Sequence, residues 1–389
     1  MIKTSNVSTV STEYTFDSKT AILLENLICL LREKRRQNFV NNFLSFSSIC
    51  LVFCVHTMGF SVNLKFIIVI IGVAVAFFNY PPPSPSQLLT EWRQSGTFFT
   101  FKGYNIFYKD VKGSAADTRN QRTLLLLHGF PTSSFDWYKM LPELQKRFDR
   151  VIAPDFIGLG FSDKPTNFGY PITFQADIVE ALIARLKISD LDILAHDYGD
   201  TVAQELLARY NDNKLKFDIK TTTLLNGGIF PRKHIPIAGQ KLLRLPYLKF
   251  IFSKIANFYF FRASLNQVFG TNKPTAEEID DMWSQQRYLN GYEVMSELLT
   301  YIDQRFQNED RWVGSLVKYS TTKPIHLIAG PADPINPILC QNFKKMVPLG
   351  SCDVLPDDIS HYPNLEDPKG LLKFYFAFLD SELLTPSSN

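Results

Sequence analysis

Asp197 stands where an apolar strand pattern, Asp192-Ile193-Leu194-Ala195-His196, meets an amphipathic helical one, with Val202, Ala203, Leu206, Leu207 and Tyr210 on one face. Ala195 and Gly199 lie two positions either side of it. Small residues at those places permit a turn so sharp that the central side chain is thrust out at the carboxyl end of the strand, the outline of a nucleophile elbow. Such elbows usually carry Ser; this one carries Asp. A carboxylate with an ordinary pKa of about 3.9 is already ionised at neutral pH. It is a weak nucleophile toward amides and esters, yet it can displace a leaving group from a strained or activated sp3 carbon and form an alkyl ester. Water can cleave that ester, whereas Ser in the same role would form an inert ether. The residue type therefore points to epoxides or alkyl halides before acyl esters. The plain alternative is a buried or helix-capping Asp, and the partner residues decide between the two.

Asp333, in Gly330-Pro331-Ala332-Asp333-Pro334, follows a strand pattern, and His361, in Ile359-Ser360-His361-Tyr362-Pro363, follows the last one. Nucleophile, acid and His in that chain order form a hydrolytic triad on a sheet of this kind. Asp333 is expected to hold one ring nitrogen of His361, leaving the other to deprotonate a water that attacks the Asp197 ester. His128-Gly129-Phe130-Pro131 closes an earlier strand. Its turn can aim the Phe130 N–H into the site, where with the Tyr198 N–H it would form an oxyanion hole. Thr132, Ser133 and Ser134 read as helix-capping residues, and Asp200 as a structural carboxylate favoured by the helix dipole. The glycines of Asp155-Phe156-Ile157-Gly158-Leu159-Gly160-Phe161-Ser162-Asp163 match neither GxGxxG nor a P-loop. They read as a structural turn bordering the pocket. His196, His234 and His326 lack comparable company. Cys340 and Cys352 read as isolated and Cys50 and Cys54 lie in an apolar run, so neither a disulfide framework nor a zinc site is indicated. No cofactor and no metal are expected.

Strands must end at each of these residues. The apolar run 123–127 is expected to be a strand buried on both faces, and 150–154 another. Residues 98–101 and 104–108 flank Lys102-Gly103, a hairpin signal. Residues 172–186 are helical in pattern, with Ile178, Ala181, Leu182 and Leu186 on one face. Further strands fall at 221–225, 325–329 and 352–355. Strands alternating with helices give an α/β fold with a mostly parallel central sheet. Between 228 and 323 the alternation stops. Helical patterns at 241–261, 277–287 and 294–306, carrying Tyr247, Tyr259, Tyr288, Tyr292 and Tyr301, read as an inserted cap over the carboxyl ends of the strands. Any of those tyrosines could donate a hydrogen bond to an opening epoxide, and the sequence does not choose among them.

The chain has 41 basic and 38 acidic residues, for a net charge of +3. Nothing in that balance points to nucleic acid. Residues 37–64 contain no charged side chain, and 66–78 are wholly apolar. A spanning helix needs about 20 apolar residues. The first stretch is long enough but interrupted by Ser, Asn and His56; the second is purer but shorter. No small-residue cleavage site follows Phe78, so a signal peptide is disfavoured. At least one membrane anchor is expected. Arg32, Lys34, Arg35 and Arg36 favour a cytosolic N-terminus. One span then places the enzyme in the lumen and two return it to the cytosol. The only N-glycosylation acceptor is Asn6, which leans toward a cytosolic domain. A product starting at Met58 would lose the first stretch. The expected organisation is a polar and basic segment at 1–36, a membrane-anchoring region at 37–80 and a Pro-rich linker and lead-in at 81–97. The core occupies 98–228 and 323–389, with the cap at 229–322.

From about residue 98 to 383 the chain resembles the α/β-hydrolase superfamily. The resemblance rests on HGFP at 128–131, the DxxGxGxSD turn, the elbow with Asp197, and the acid and His in order. HGFP and HDYG resemble the epoxide hydrolase and haloalkane dehalogenase branch. Closer still, the runs 128–137 and 196–207, NGGIFP at 226–231, RWVG at 311–314 and SHYPNLEDP at 360–368 resemble the mesoderm-specific transcript family, as does an apolar segment followed by PPP. These are animal membrane-associated hydrolase homologues. That resemblance implies an endoplasmic-reticulum membrane location and supplies no substrate. Relatives in the epoxide hydrolase branch usually carry Trp directly after the nucleophile, where dehalogenases bind the leaving halide. Tyr198 stands there instead, which disfavours dehalogenation. Residues 1–57 have no counterpart in the resemblance. The expectation is a membrane-anchored hydrolase that opens an epoxide-like or other small apolar or lipid substrate through a covalent ester. The rivals are a lipid ester hydrolase or acyltransferase on the same fold, and a non-catalytic lipid-binding membrane protein. The expected partners are a small apolar or lipid substrate and the membrane, and the sequence does not say which proteins it meets.

Overall fold

Eight strands form one sheet in the order β1-β2-β4-β3-β5-β6-β7-β8. They are β1 (Thr97–Phe101), β2 (Tyr104–Lys112), β3 (Thr123–Leu127), β4 (Arg150–Pro154), β5 (Asp190–His196), β6 (Asp218–Leu225), β7 (Ile325–Ala329) and β8 (Ser351–Val354). This computed structural model describes residues 84–114, 122–244 and 258–384, together with Ile67, Ile70 and Gly72. The globular unit spans Pro81–Asn389. The membrane-anchoring region expected at 37–80 lies outside the described residues apart from those three. Among the described residues no helix is long and apolar enough to cross a membrane.

β1 and β2 pair antiparallel around Lys102-Gly103, whose φ angles of 47° and 87° are those a two-residue hairpin requires. β2 pairs antiparallel with β4, and every later pair is parallel. The apolar run of β3 explains why it is central. Its side chains alternate between faces, Leu125 and Leu127 entering the core on one side of the sheet and Leu124 and Leu126 the core on the other. The first core is filled by Ile178, Val179 and Leu182 of the helix Ile172–Arg185 and by Val202 and Leu206 of the elbow helix Tyr198–Asn211. The second is filled by Leu144, Leu371, Tyr375 and Leu379.

β6 begins three residues earlier than its apolar run, at Asp218. Asp218 and Lys220 look like loop residues, but Asp218 pairs with Asp190 across the sheet and accepts bonds from Tyr210 (2.9 Å) and Lys323 (2.9 Å).

Between β6 and β7 the described residues form helices, at Ala238–Leu243, Phe258–Asn266, Ala276–Arg287, Met295–Leu298, Tyr301–Gln307 and Glu309–Tyr319, with short 3-10 turns. The long helix expected at 241–261 ends at Leu243 on its first side, and 245–257 lie outside the described residues. The helix expected at 294–306 is two helices, broken at Leu299 and Thr300. The break does not show in the sequence because buried apolar residues run straight through it, Met295, Leu298, Leu299, Tyr301 and Ile302; the Thr300 hydroxyl meanwhile bonds the carbonyls of Gly169 and Glu297. Glu309–Tyr319 docks on the elbow helix through the Ser315 hydroxyl on the Gln204 carbonyl, the Asn211 amide on the Ser315 carbonyl and a shared carboxylate. Glu205 accepts from Arg311 Nε (2.9 Å), Trp312 Nε1 (2.8 Å) and Arg209 Nε (2.9 Å), which gives RWVG its physical meaning.

One expectation is overturned. Cys340 and Cys352 form a disulfide, with Cα atoms 5.9 Å apart. They are twelve positions apart in sequence, but the helix Leu339–Met346 packs back along β7 and β8 and brings them together.

Candidate active site

The elbow follows from local sterics. Asp197 has φ 50° and ψ −107°, a region that costs a non-Gly residue energy. A Cβ at position 199 would lie 2.4 Å from the Leu127 carbonyl oxygen, so only Gly lets the elbow helix start this close to β3. Asp200 stitches the turn from below, accepting from the N–H groups of Gly227 (2.9 Å) and Leu225 (3.4 Å). Its role is structural, as its position at the helix start implies.

Asp197, Asp333 and His361 converge in a buried site, with exposures of 3%, 0% and 2%. His361 Nδ1 meets Asp333 Oδ2 at 2.9 Å, and His361 Nε2 faces Asp197 Oδ2 at 3.4 Å. Asp333 is held by the N–H of Ile335 (2.8 Å) and by Asn226 Nδ2 (3.1 Å). Asn226 in turn accepts from Gly330 N–H (2.8 Å), so the first residue of NGGIFP fixes the acid loop. The Phe130 N–H donates to Asp197 Oδ1 at 2.9 Å. The Tyr198 N–H, the other amide expected at an oxyanion hole, makes no bond to Asp197 among the described residues. The Tyr198 ring is buried instead, its hydroxyl accepting from Gln175 (3.2 Å).

Burial disfavours charge on all three groups, and their mutual attraction overrides it. Asp197 sits below the ordinary carboxylate range, held there against burial by His361, His196 and the Phe130 N–H. Asp333 is likewise lowered, against burial, by His361 and Asn226. Burial opposes the His361 imidazolium, but Asp333 and Asp197 raise its pKa to about 10. The resting site is thus an imidazolium between two carboxylates.

A cavity opens onto Asp197 and His361. Its remaining wall is mostly apolar and comes largely from the cap, including Leu243, Phe261, Leu265, Trp283, Met295 and Leu299. Of the cap tyrosines, Tyr292 lines it. Tyr301 is fully buried behind it, its ring 4.9 Å from Tyr198 and 6.2 Å from Phe130, and its hydroxyl has no partner among the described residues. Tyr288 packs on Phe161, Tyr259 is exposed, and Tyr247 lies outside the described residues. The Asp155 turn is structural. Its carboxylate accepts from Ser134 N–H (2.8 Å) and Phe161 N–H (2.6 Å), and it does not line the cavity. Ser133 caps the turn Ser134–Trp137, as its type implies.

Sequence reasoning missed two histidines and an arginine. His196 Nε2 bonds the His361 carbonyl oxygen at 2.7 Å. Burial lowers its pKa to about 4, so it is neutral and donates. Arg305 is 1% exposed and lies over the Tyr301 ring at 4.8 Å. Its Nη2 meets His234 Nδ1 at 3.2 Å, while Nε and Nη1 have no partner among the described residues. Burial and the Arg305 charge hold His234 near a pKa of about 3, leaving its Nδ1 free to accept. The guanidinium fits because position 228 is Gly; a Cβ there would lie 1.2 Å from Nη1. No metal-holding cluster of His, Cys, Asp or Glu occurs among the described residues.

Residues 122–229 match the family model for the α/β hydrolase fold. The chain is 46% identical over 318 residues to the mesoderm-specific transcript homolog protein of Homo sapiens, covering 80% of this chain and 93% of that one. Among solved structures it is similar to the epoxide hydrolase CorEH (TM-score 0.58, 21% identity, 74% of this chain and 99% of that one). It is also similar to the haloalkane dehalogenase DbeA of Bradyrhizobium elkani (TM-score 0.60, 20% identity, 74% and 99%). At those identities the two structures speak to the fold alone.

Proposed function

Because the chain belongs to the mesoderm-specific transcript family of α/β hydrolases, we propose that it is a hydrolase whose nucleophile is Asp197, acting on an epoxide-like apolar or lipid substrate. The observation that carries this reading is the division of labour between the two Asp197 oxygens. Oδ1 is occupied by the Phe130 N–H, and Oδ2 faces His361 and the cavity. Oδ2 attacks the strained carbon, the carbon–oxygen bond of the ring breaks, and the alkoxide takes a proton. A phenol of the cap supplies it and is then reprotonated by the His361 imidazolium, which is left neutral. Esterification removes one of the two anions that hold the proton on His361, so the imidazole becomes basic toward water rather than locked as a cation. Water then attacks the Asp197 carbonyl carbon as His361 takes its proton. The tetrahedral oxyanion forms on Oδ1, already bonded to Phe130 N–H and next to the Tyr198 amide. Collapse expels the second alcohol and restores the carboxylate.

The apolar cavity wall supports a hydrocarbon-rich substrate. We further propose that residues 37–80 anchor the protein in the endoplasmic-reticulum membrane, which would deliver such substrates from the bilayer.

His361→Gln in the full-length protein tests the reading. Attack is retained and ester hydrolysis is blocked, so exposure to a panel of epoxides, alkyl halides and acyl esters leaves an adduct readable by intact mass and mapped to Asp197. An adduct formed from acyl esters alone would replace this reading with the ester-hydrolase one. Modification elsewhere, with Asp197 untouched, would overturn it.

A further inference from the structure

His361 is gripped from the cap side as well as from the core. Its backbone N–H donates to the Val268 carbonyl oxygen at 3.1 Å, and Val268 lines the cavity. Two residues on, Gly270 N–H donates to Glu366 Oε2 at 2.7 Å. The same carboxylate accepts from the residues flanking His361 on both sides, Ser360 N–H on Oε2 (3.1 Å) and Tyr362 N–H on Oε1 (3.0 Å). Thr271 N–H reaches the Asp358 carbonyl (3.2 Å), and Asn272 Nδ2 the Glu366 carbonyl (3.1 Å). Phe269 stacks on Tyr362 with centroids 4.6 Å apart and planes 3° from parallel. A Cβ on Gly270 would lie 1.8 Å from the Asp358 carbonyl oxygen, so the two segments touch backbone to backbone.

Glu366 is 6% exposed. The bonds named above use both of its oxygens as acceptors for main-chain N–H groups. Three of them from three different residues define the position of a short loop more tightly than packing alone, because each bond is directional and a displaced donor would be left buried and unpaired.

We propose that Glu366 is a positioning residue that couples the cap to the hydrolytic half of the reaction: segment 268–272 and the His361 loop move as one body, so His361 is aligned for water activation only when the cap is seated. The coupling rests on the reading of His361 as the base. It separates the two chemical steps. Attack by Asp197 depends on β5 and the elbow, which Glu366 does not touch. Hydrolysis depends on the distance and angle of His361 Nε2 to the water and to Asp197. A substrate that fills the cavity presses on Val268, one hydrogen bond from His361, and so seats the base.

Glu366→Gln tests this in the full-length protein. A side-chain amide offers one acceptor and one donor where the carboxylate offers two acceptors, so at least one N–H of the bracket must face an N–H of the glutamine. The first readout needs no substrate. With selectively labelled histidine, the His361 ring is titrated by NMR, and its pKa in the variant is expected to fall by about one unit or more as its distances to the two carboxylates lengthen. The second readout is transient kinetics with an epoxide that labels Asp197. Ester formation is expected to stay near the wild-type rate while ester hydrolysis slows by about a hundred-fold, the size of effect that misplacement by about 1 Å produces. Gly270→Ala, whose Cβ would lie 1.8 Å from the Asp358 carbonyl oxygen and 2.8 Å from Glu366 Oε2, drives the cap segment off the bracket from the other side while leaving the carboxylate in place, and should reproduce both results. A folded Glu366→Gln protein whose His361 titrates as in wild type would overturn the coupling, as would one in which both chemical steps slow equally. If no ester forms on Asp197 in any variant, the hydrolase reading falls, and the titration alone still decides whether Glu366 positions His361.

Discussion

The floor of the cavity and its roof are built by different rules. On the floor the triad's own polar contacts are closed, Asp197 Oδ1 to Phe130, His361 to Asp333, and Asp333 to Asn226 and Ile335, and the one open atom beside them among the described residues is His196 Nδ1. The roof and its supports hold open ones. The Tyr301 hydroxyl, Gln286 Oε1 and two nitrogens of Arg305 are buried without partners among the described residues. A closed network is pre-organised and fixes which bond is made. Open groups in an apolar setting are costly unless something fills their valence, so the roof is where selectivity for a ligand can reside. The division parallels the chain, since the floor comes from strand ends and the roof from the insertion between β6 and β7.

The comparison is tested hardest on the floor. Asp197→Ala should leave no turnover and no covalent adduct with any substrate that labels His361→Gln, measured by intact mass and product assay. Asp333→Asn should preserve ester formation and slow hydrolysis by about 10⁴-fold, the scale seen when the acid of a triad is neutralised. Adduct accumulation under steady turnover checks it.

A pH test on the same floor needs no substrate. His361 has a folded pKa near 10 against about 6.5 unfolded. A raised pKa contributes stability that is complete below about pH 6.5 and is lost as pH rises toward 10. Chemical unfolding should therefore show wild type losing stability between pH 7 and pH 10 more steeply than His361→Gln.

Roof variants should do the least, and in the opposite sense for stability. Arg305→Met removes an unpaired buried charge without opening a large void. It should hold or raise unfolding stability, by about 1 kcal/mol, while changing the rank order of substrates in a turnover panel. A large destabilisation would show that the roof is as closed as the floor.

The floor was legible because its signals are local. Asp197 announces itself through Ala195 and Gly199, and Asp333 and His361 each end a readable strand, so order alone assembles them. The roof and its couplings were not legible because their partners are remote. Arg305 meets His234 and lies over Tyr301 through a fold of the cap that no periodicity encodes. Glu366 lies five residues from His361, yet its role depends on Gly270, 96 positions away. Cys340 and Cys352 look unrelated until a helix doubles back along β8. Runs 226–231, 311–314 and 360–368 stood out by resemblance, and only the bonds of Asn226, Arg311, Trp312 and Glu366 give each a physical reason.

Asp197 at φ 50° has a consequence beyond reactivity. A non-Gly residue in that region carries about 1–3 kcal/mol of strain, and here it also confines a charge. The fold bears that load at its most central turn, and selection for robustness alone would remove it. Asp197→Gly should relieve the backbone but forfeit the contacts with His361 and the Phe130 N–H, so its melting temperature should stay near that of wild type while it does no chemistry. A lineage that abandoned catalysis and kept only the scaffold would be free to drift toward Gly, Asn or Ser at this turn. An Asp at this turn is thus a residue that backbone geometry alone does not favour.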